Sequence, residues 1–233
     1  MKFAFHEKRS VGLLLTFIGG MMDSYTYISY GVFSCAQTGN IILAIIDSYD
    51  GKWDLVGKKL LSTGFFFLGI ILSKFIIDYF KKKEIHFWRL FLLYFEAFFF
   101  IIISFNFLQS YPTLLTIMIV FTTSVQWGSF DKINGLGYTN VFTTGNLKGV
   151  AVNLYDFFIT RDANAKSRFI HYFLVVTAFI LGAIISVFFF RLIGRKTLLI
   201  VGGLFFYIAV SQTVQVWHFI KITITNSNSN KIQ

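Results

Sequence analysis

Cysteine, proline and charge are all scarce in this chain. The one Cys, Cys35, excludes an intramolecular disulfide and a CxxC metal site, so nothing calls for an oxidising compartment. The one Pro, Pro112, excludes a Pro-rich linker. Charged residues are 14% of the chain, against about 25% in soluble domains. What is abundant is apolar. Hydrophobic residues make up 55%, aromatics 20%, Phe alone numbers 31, and the mean hydropathy is +0.67. That composition suits a lipid solvent. The formal charge is +10, yet Lys and Arg fall mostly between apolar runs, where membrane proteins carry orientation charge. With no soluble domain to present a basic face, nucleic acid is excluded as a partner.

A spanning helix needs about 20 mostly apolar residues. Six stretches meet or approach this: Val11–Tyr30, Leu60–Phe80, Leu90–Leu108, Thr113–Ile133, Phe169–Leu192 and Thr197–Phe219. The first is broken by Asp23 and lacks a small-residue cleavage site, so it reads as a retained segment and not a signal peptide. Pro112, in "QSYPT", is placed to start the fourth helix. The tail "TNSNSNKIQ" reads as polar and disordered.

Two segments resist this reading. "SCAQTGNIILAIIDSYD" (34–50) and "VFTTGNLKGVAVNLYD" (141–156) both contain Thr-Gly-Asn and both end in Tyr-Asp. Each apolar run is long enough for about half a bilayer. A shift of 106 residues places Thr38-Gly39-Asn40 on Thr144-Gly145-Asn146 and Tyr49-Asp50 on Tyr155-Asp156. A shift of 113 places "LGIILS" (68–73) on "LGAIIS" (181–186).

The expected fold is therefore an all-α integral membrane protein, a single membrane domain over 1–233. It has six transmembrane helices plus two short half-helices at the Thr-Gly-Asn breaks, as a 3+3 internal repeat (about 11–108 and 113–219) with a polar tail at 220–233. Three spans per half put the second copy in upside down, the inverted-repeat plan of many transporters. Charge agrees. With a cytoplasmic N-terminus and non-crossing breaks, 14 of the 21 Lys and Arg lie on the cytoplasmic side and six outside; the cluster at Arg191–Lys196 runs against the rule. At each break a half-helix N-terminus would sit at depth, with Thr38 capping the first, Gly39 giving a sharp turn or close approach, and Asn40 supplying donor and acceptor. A plain capped turn between ordinary helices is the alternative.

The string "GGMMDSYTYISYGVFSCAQTGNIILA", with "TTGNLKGVA" later, resembles the bacterial YoaK family, also called domain of unknown function 1275. The resemblance rests on Gly19, Gly20, Asp23, Ser24, Thr38, Gly39 and Asn40, then Gln126 and Thr144-Gly145, and runs from about Val11 to Phe219. It implies a small bacterial inner-membrane protein of about six spans; the charge distribution adds that both termini are expected to be cytoplasmic. It implies no substrate.

Ionisable groups inside membrane helices are functional candidates by default. Asp23 and Glu96 are candidate proton or ion carriers. A substrate path would be lined by Asp23, Thr38, Gly39, Asn40, Gln126, Asn140, Thr144, Gly145 and Asn146. Asp131 and Lys132 are expected to pair locally, as are Lys74 and Asp78. His171 and His218 look interfacial, as do Trp53, Trp88 and Trp217. No Ser/His/Asp set, zinc motif or nucleophile elbow is present, so no enzyme, no cofactor and no metal are expected. The partners are the bilayer and a small polar or ionic solute; Gly145 and Gly149 leave a homo-oligomer open. The leading function is a small-molecule transporter or channel; the alternative is an accessory subunit that binds a partner or lipid without transport.

Overall fold

The computed structural model of the chain is described over residues 5–105, 110–141 and 143–229. The chain is helical, in the order α1 (Arg9–Tyr30), α2 (Gln37–Tyr49), α3 (Trp53–Lys82), α4 (Trp88–Ile103), α5 (Pro112–Ser129), α6 (Thr144–Thr160), α7 (Ala163–Ile193) and α8 (Thr197–Ser229). Local chemistry sets the ends. Gly31, at φ 69°, closes α1 by donating its N–H to the Tyr27 carbonyl. Pro112 opens α5, as its position suggests. Asp162 caps α7, its carboxylate accepting from the N–H groups of Asn164 and Ala165.

Three helical stretches are long and apolar enough to cross a membrane: Arg9–Tyr30, Trp53–Lys82 and Ala163–Thr223. The last has 61 residues and folds at a single 3-10 turn, Gly194–Lys196, so it supplies both α7 and the start of α8. The outer surface is apolar, with Ile45, Phe67, Phe75 and Phe91 all more than half exposed. A contiguous apolar surface of this kind belongs against lipid or another apolar partner.

Four expectations are corrected. The fourth stretch does not run helical to Ile133. α5 stops at Ser129, and "DKINGLGY" forms a two-stranded antiparallel hairpin, β1 (Lys132–Ile133) with β2 (Leu136–Gly137). Asn134 and Gly135 both have positive φ at its turn, the geometry an Asn-Gly pair favours. The hairpin is held by Glu7, whose carbonyl accepts from Asn134 N–H and whose carboxylate accepts from Gly135 N–H. Asp131 and Lys132 are both exposed and are not among the ion pairs of the described residues. The tail is helical through Ser229, since α8 continues unbroken past its apolar part. The residues beyond it, like the expected end of the third stretch at Leu108, lie outside the described residues. Finally, α2 has 13 residues and α6 has 17, roughly 20 and 26 Å at 1.5 Å per residue. Both exceed half a bilayer.

The helices pack in pairs: α1 with α7, α3 with α5, α4 with α8, α2 with α3, and α6 with α7. Small residues set the closest contacts. A Cβ at Gly182 on α7 would fall on the Phe17 carbonyl oxygen of α1, and one at Gly20 on the Phe179 carbonyl oxygen. The Ser186 hydroxyl donates to the Met21 carbonyl at 2.8 Å in the same seam. The main core lies between α1, α4, α5 and α8, around Leu15, Met22, Leu93, Phe100, Ile119 and Phe205. Trp88 belongs to this core and is not interfacial: it is buried, its ring stacked on Phe80. His171 is buried too. Trp53 and Trp217 are exposed, and Lys74 and Asp78 pair at 3.5 Å.

The α1–α7 seam gives a direct test. Gly182→Leu is expected to destabilise the chain by about 1–3 kcal/mol through overpacking, seen as a lower unfolding midpoint in detergent. Gly64→Ala, with open space around it, is expected to leave the midpoint unchanged or raise it slightly. Equal loss in both variants would contradict the close approach.

Candidate functional site

The first break runs from Gly31 to the start of α2. Its backbone leaves the helix inside an apolar protein, so each N–H and C=O needs a partner. Asn40 supplies two. Its side chain folds back seven residues: Oδ1 accepts from Phe33 N–H at 2.8 Å, and Nδ2 donates to the Phe33 carbonyl at 2.8 Å. The same Nδ2 reaches Gln37 Oε1 at 2.9 Å. Gln37 Nε2 in turn donates to the Ser34 carbonyl at 3.1 Å, and Gln37 Oε1 accepts from Thr63 on α3.

Asp23 holds the same loop from the other side. Its Oδ1 accepts from Cys35 N–H at 2.7 Å and from the Ser34 hydroxyl at 3.1 Å. Three residues on, Thr26 Oγ1 accepts from Ser34 N–H at 3.0 Å. Asp23 is buried, and these bonds make it a tether for the break.

The second break repeats the clamp. Asn146 Oδ1 accepts from Thr139 N–H at 3.3 Å, and its Nδ2 donates to the Thr139 carbonyl at 2.8 Å, again seven residues back. Asn140 Nδ2 donates to the Phe130 carbonyl at the end of α5, at 3.0 Å. α2 and α6 are also tied to the helix that follows each of them, beyond the clamps. Asp47 on α2 pairs with Lys59 on α3 at 2.5 Å, both largely buried. Asn153 on α6 accepts from Arg168 Nε on α7 at 2.7 Å.

Both breaks lean on one turn of α1. A Cβ at Gly19 would collide with the Asn140 carbonyl oxygen of the second break, and Asp23, one turn on, binds the first. Gln126 sits one turn before Phe130 on α5. It is fully buried, and neither its Oε1 nor its Nε2 has a hydrogen-bond partner among the described residues. Such a group in a dry interior is costly unless something else bonds it.

The structure thus gathers Asp23, Asn40, Asn140 and Asn146 at the breaks, with Gln126 a turn away. It does not place Glu96 there; that residue lies on α4, in the main core. The threonines are corrected. α2 begins at Gln37, before Thr38, and no side chain caps it; Thr38 is exposed. Thr144 is the first residue of α6 and is exposed as well. Gly39 keeps helical backbone and makes no turn; a Cβ there would press on the Phe33 ring at 3.3 Å. Gly145 meets open space, and Gly149 packs on Tyr172 within the chain. Gln37 and Ser34 carry hydrogen bonds that sequence reading missed. Their signal was polar residues flanking the Thr-Gly-Asn. Among the described residues no three His, Cys, Asp or Glu stand together as metal ligands.

A family model described as "Protein of unknown function (DUF1275)" matches residues 11–211. The chain belongs to DUF1275. The DUF1275 match takes in both breaks, α1 from Val11 onward, α2 to α7 and the first half of α8. No curated protein and no solved structure matches the chain.

The clamps predict a stability pattern. Asn40→Ala and Asn146→Ala should each cost about 1–3 kcal/mol, because each leaves a buried N–H and carbonyl unbonded. Thr38→Ala and Thr144→Ala should be near neutral. Asp23→Asn keeps an acceptor oxygen and should be milder than Asp23→Ala. Thermal unfolding of the purified variants checks this; threonine variants as damaging as the asparagine ones would contradict it.

Proposed function

We propose that this DUF1275 chain is a six-span membrane protein built as an inverted 3+3 repeat, and that it passes a small polar or ionic solute between the two halves, beside the paired breaks. The carrying observation is the duplicated asparagine clamp. The bonds Asn40–Phe33 and Asn146–Thr139 coincide under the 106-residue shift at both ends. Asp47 and Asn153, which tie α2 to α3 and α6 to α7, coincide under that shift as well.

Helix pairing supports the repeat. Exchanging α1–α4 for α5–α8 turns the α1–α7 pair into α5–α3, the α2–α3 pair into α6–α7, and maps α4–α8 onto itself. Gly69 and Gly182, related by 113 residues, each pack closely on the partner helix, Gly69 on Ser124 and Phe121 of α5 and Gly182 on Phe17 of α1. In the proposed plan both termini face the cytoplasm of a bacterial cell, as the Lys and Arg distribution favours. The solute path passes Gln126 and Asn140, the buried amides nearest the meeting of the breaks on α1. Asn40, Asn146 and Asp23 frame the path. The chemistry is binding and passage without a catalytic step.

One observation favours an accessory, non-transporting subunit: the polar groups of the first break are bonded to one another, which makes that break dry. The same closure fits a resting transporter.

Light-scattering assays on proteoliposomes distinguish the two. Vesicles holding the wild-type chain, challenged with gradients of glycerol, urea, potassium chloride and sodium formate, should relax faster than empty vesicles for at least one of them. Gln126→Leu should abolish that gain while leaving the unfolding midpoint intact. Relaxation identical to empty vesicles for every solute would favour the accessory reading.

A further inference from the structure

A second buried polar group lies away from both breaks, in the seam between α4 and α8. α4 buries Leu92, Leu93, Glu96, Ala97 and Phe100 on one face. α8 answers with Phe205, Ile208, Ala209 and Gln212. The faces meet closely. The rings of Phe100 and Phe205 stack with centroids 5.5 Å apart, and a Cβ at Gly202 would crowd Ile101 and the Ala97 carbonyl. At the other end Tyr94 and Thr213 share a hydroxyl hydrogen bond at 3.0 Å.

These contacts fix an antiparallel register. Phe205 is level with Phe100, and Gln212 falls close to the level of Leu93, about one turn from Glu96. Side chains on a helix lean toward its N-terminus. On antiparallel helices Glu96 therefore leans toward the level of Gln212, and Gln212 toward that of Glu96.

Their hydrogen bonding does not close. Glu96 is fully buried, and neither carboxyl oxygen has a partner among the described residues. Gln212 is 2% exposed, and its Oε1 has none either. All three atoms are acceptors when the carboxyl is ionised. Acceptors cannot bond each other, and an uncompensated carboxylate is among the costliest groups to bury. A proton on Glu96 would supply the missing donor to Gln212 Oε1, whereas an ionised Glu96 would need the Gln212 carboxamide turned so that its Nε2–H donates to the carboxylate.

Other ionisable groups stand on the elements packed against this seam. On the 3-10 turn Phe5–Glu7, Glu7 accepts from Gly135 N–H and His6 Nε2 lies 3.9 Å from the Glu7 carboxylate, and Arg191 on α7 is exposed. Arg89 on α4 donates to the Ser129 carbonyl. α5 carries no ionisable side chain. On α8, Tyr207 is exposed, while His218 and Lys221 lie beyond the buried face. Lys8 bonds Gln215, and Lys74 and Asp78 of α3 pair with each other. On α1, Asp23 is held by the first break and Tyr25 reaches the Arg195 carbonyl.

We infer that Glu96, with Gln212 as its acceptor, is a proton-binding and proton-releasing site inside the α4–α8 seam. It goes beyond the transport reading and stands without it, since the site is complete in a chain that moves no solute. Gln212 lies just past the family match, and Glu96 lies within it.

Infrared difference spectroscopy of the full chain in phosphatidylcholine vesicles, titrated from acid to alkaline buffer, tests this without any solute. A protonated carboxyl shows a carbonyl stretch that a carboxylate lacks. The expected result is a band that disappears on alkalinisation and is absent from Glu96→Gln. In Gln212→Leu it should shift toward the frequency of a carboxyl with no hydrogen bond, which gives a readout if Glu96→Gln fails to fold. If folded Glu96→Gln loses none of the titrating bands of the wild-type chain, those bands belong to other carboxyls such as Asp23 and the inference is overturned. So would the absence of any titrating band, or a band unmoved by Gln212→Leu.

Discussion

Backbone that stops being helical inside an apolar interior must bond its N–H and C=O to something other than water. The rest of this structure depends on how that is met. At both breaks one asparagine carboxamide meets it, bonding the N–H and the carbonyl of a single residue seven positions earlier. Few side chains can do this. Aspartate offers acceptors only, and serine or threonine has one oxygen. Glutamine has the same head on a longer stem. Asparagine alone combines donor and acceptor at this reach, and each clamp ties the loop to the first turn of the helix that follows.

Helix α1 is shaped by serving both clamped loops. Gly20 lets α7 approach, Gly19 makes room for the second break, and Asp23 bonds the first, all within about one turn. The Gly-Gly-Met-Met-Asp sequence is thus a packing surface and a tether together. This separates the roles of the two buried carboxyls. Asp23 has its bonds supplied by the Ser34–Cys35 segment, whereas Glu96 has none among the described residues.

Helix positions were legible because apolar runs, Pro112 and the Gly-rich break report local constraints. The importance of Asn40 and Asn146 was legible from the repeat itself, since polar matches in an apolar chain rarely recur by chance. What escaped was non-local or competing. Thr38 looks like a cap, but α2 starts one residue before it and the loops are closed by asparagine bonds that no short-range pattern reveals. The hairpin after Ser129 was visible as Asn134-Gly135, yet its flanking strands are only two residues each, too short for alternation to show. Trp88 sits where an interfacial tryptophan would, and only its stack on Phe80, brought near by the turn between α3 and α4, puts it in the core. Gln212 was a polar residue in an apolar run, a signal present but unread.

The central claim is that two equivalent breaks enter the membrane from opposite faces. Single cysteines placed just after each half-helix, Lys52→Cys and Ala163→Cys in a Cys35→Ser background, test it most directly. The probe is a membrane-impermeant maleimide applied to intact cells and to inverted vesicles. Both positions are exposed, and the native Cys35 is buried. The account predicts that the first cysteine labels only from outside the cell and the second only from the cytoplasmic side. Labelling of both from the same side would make the halves parallel and contradict it.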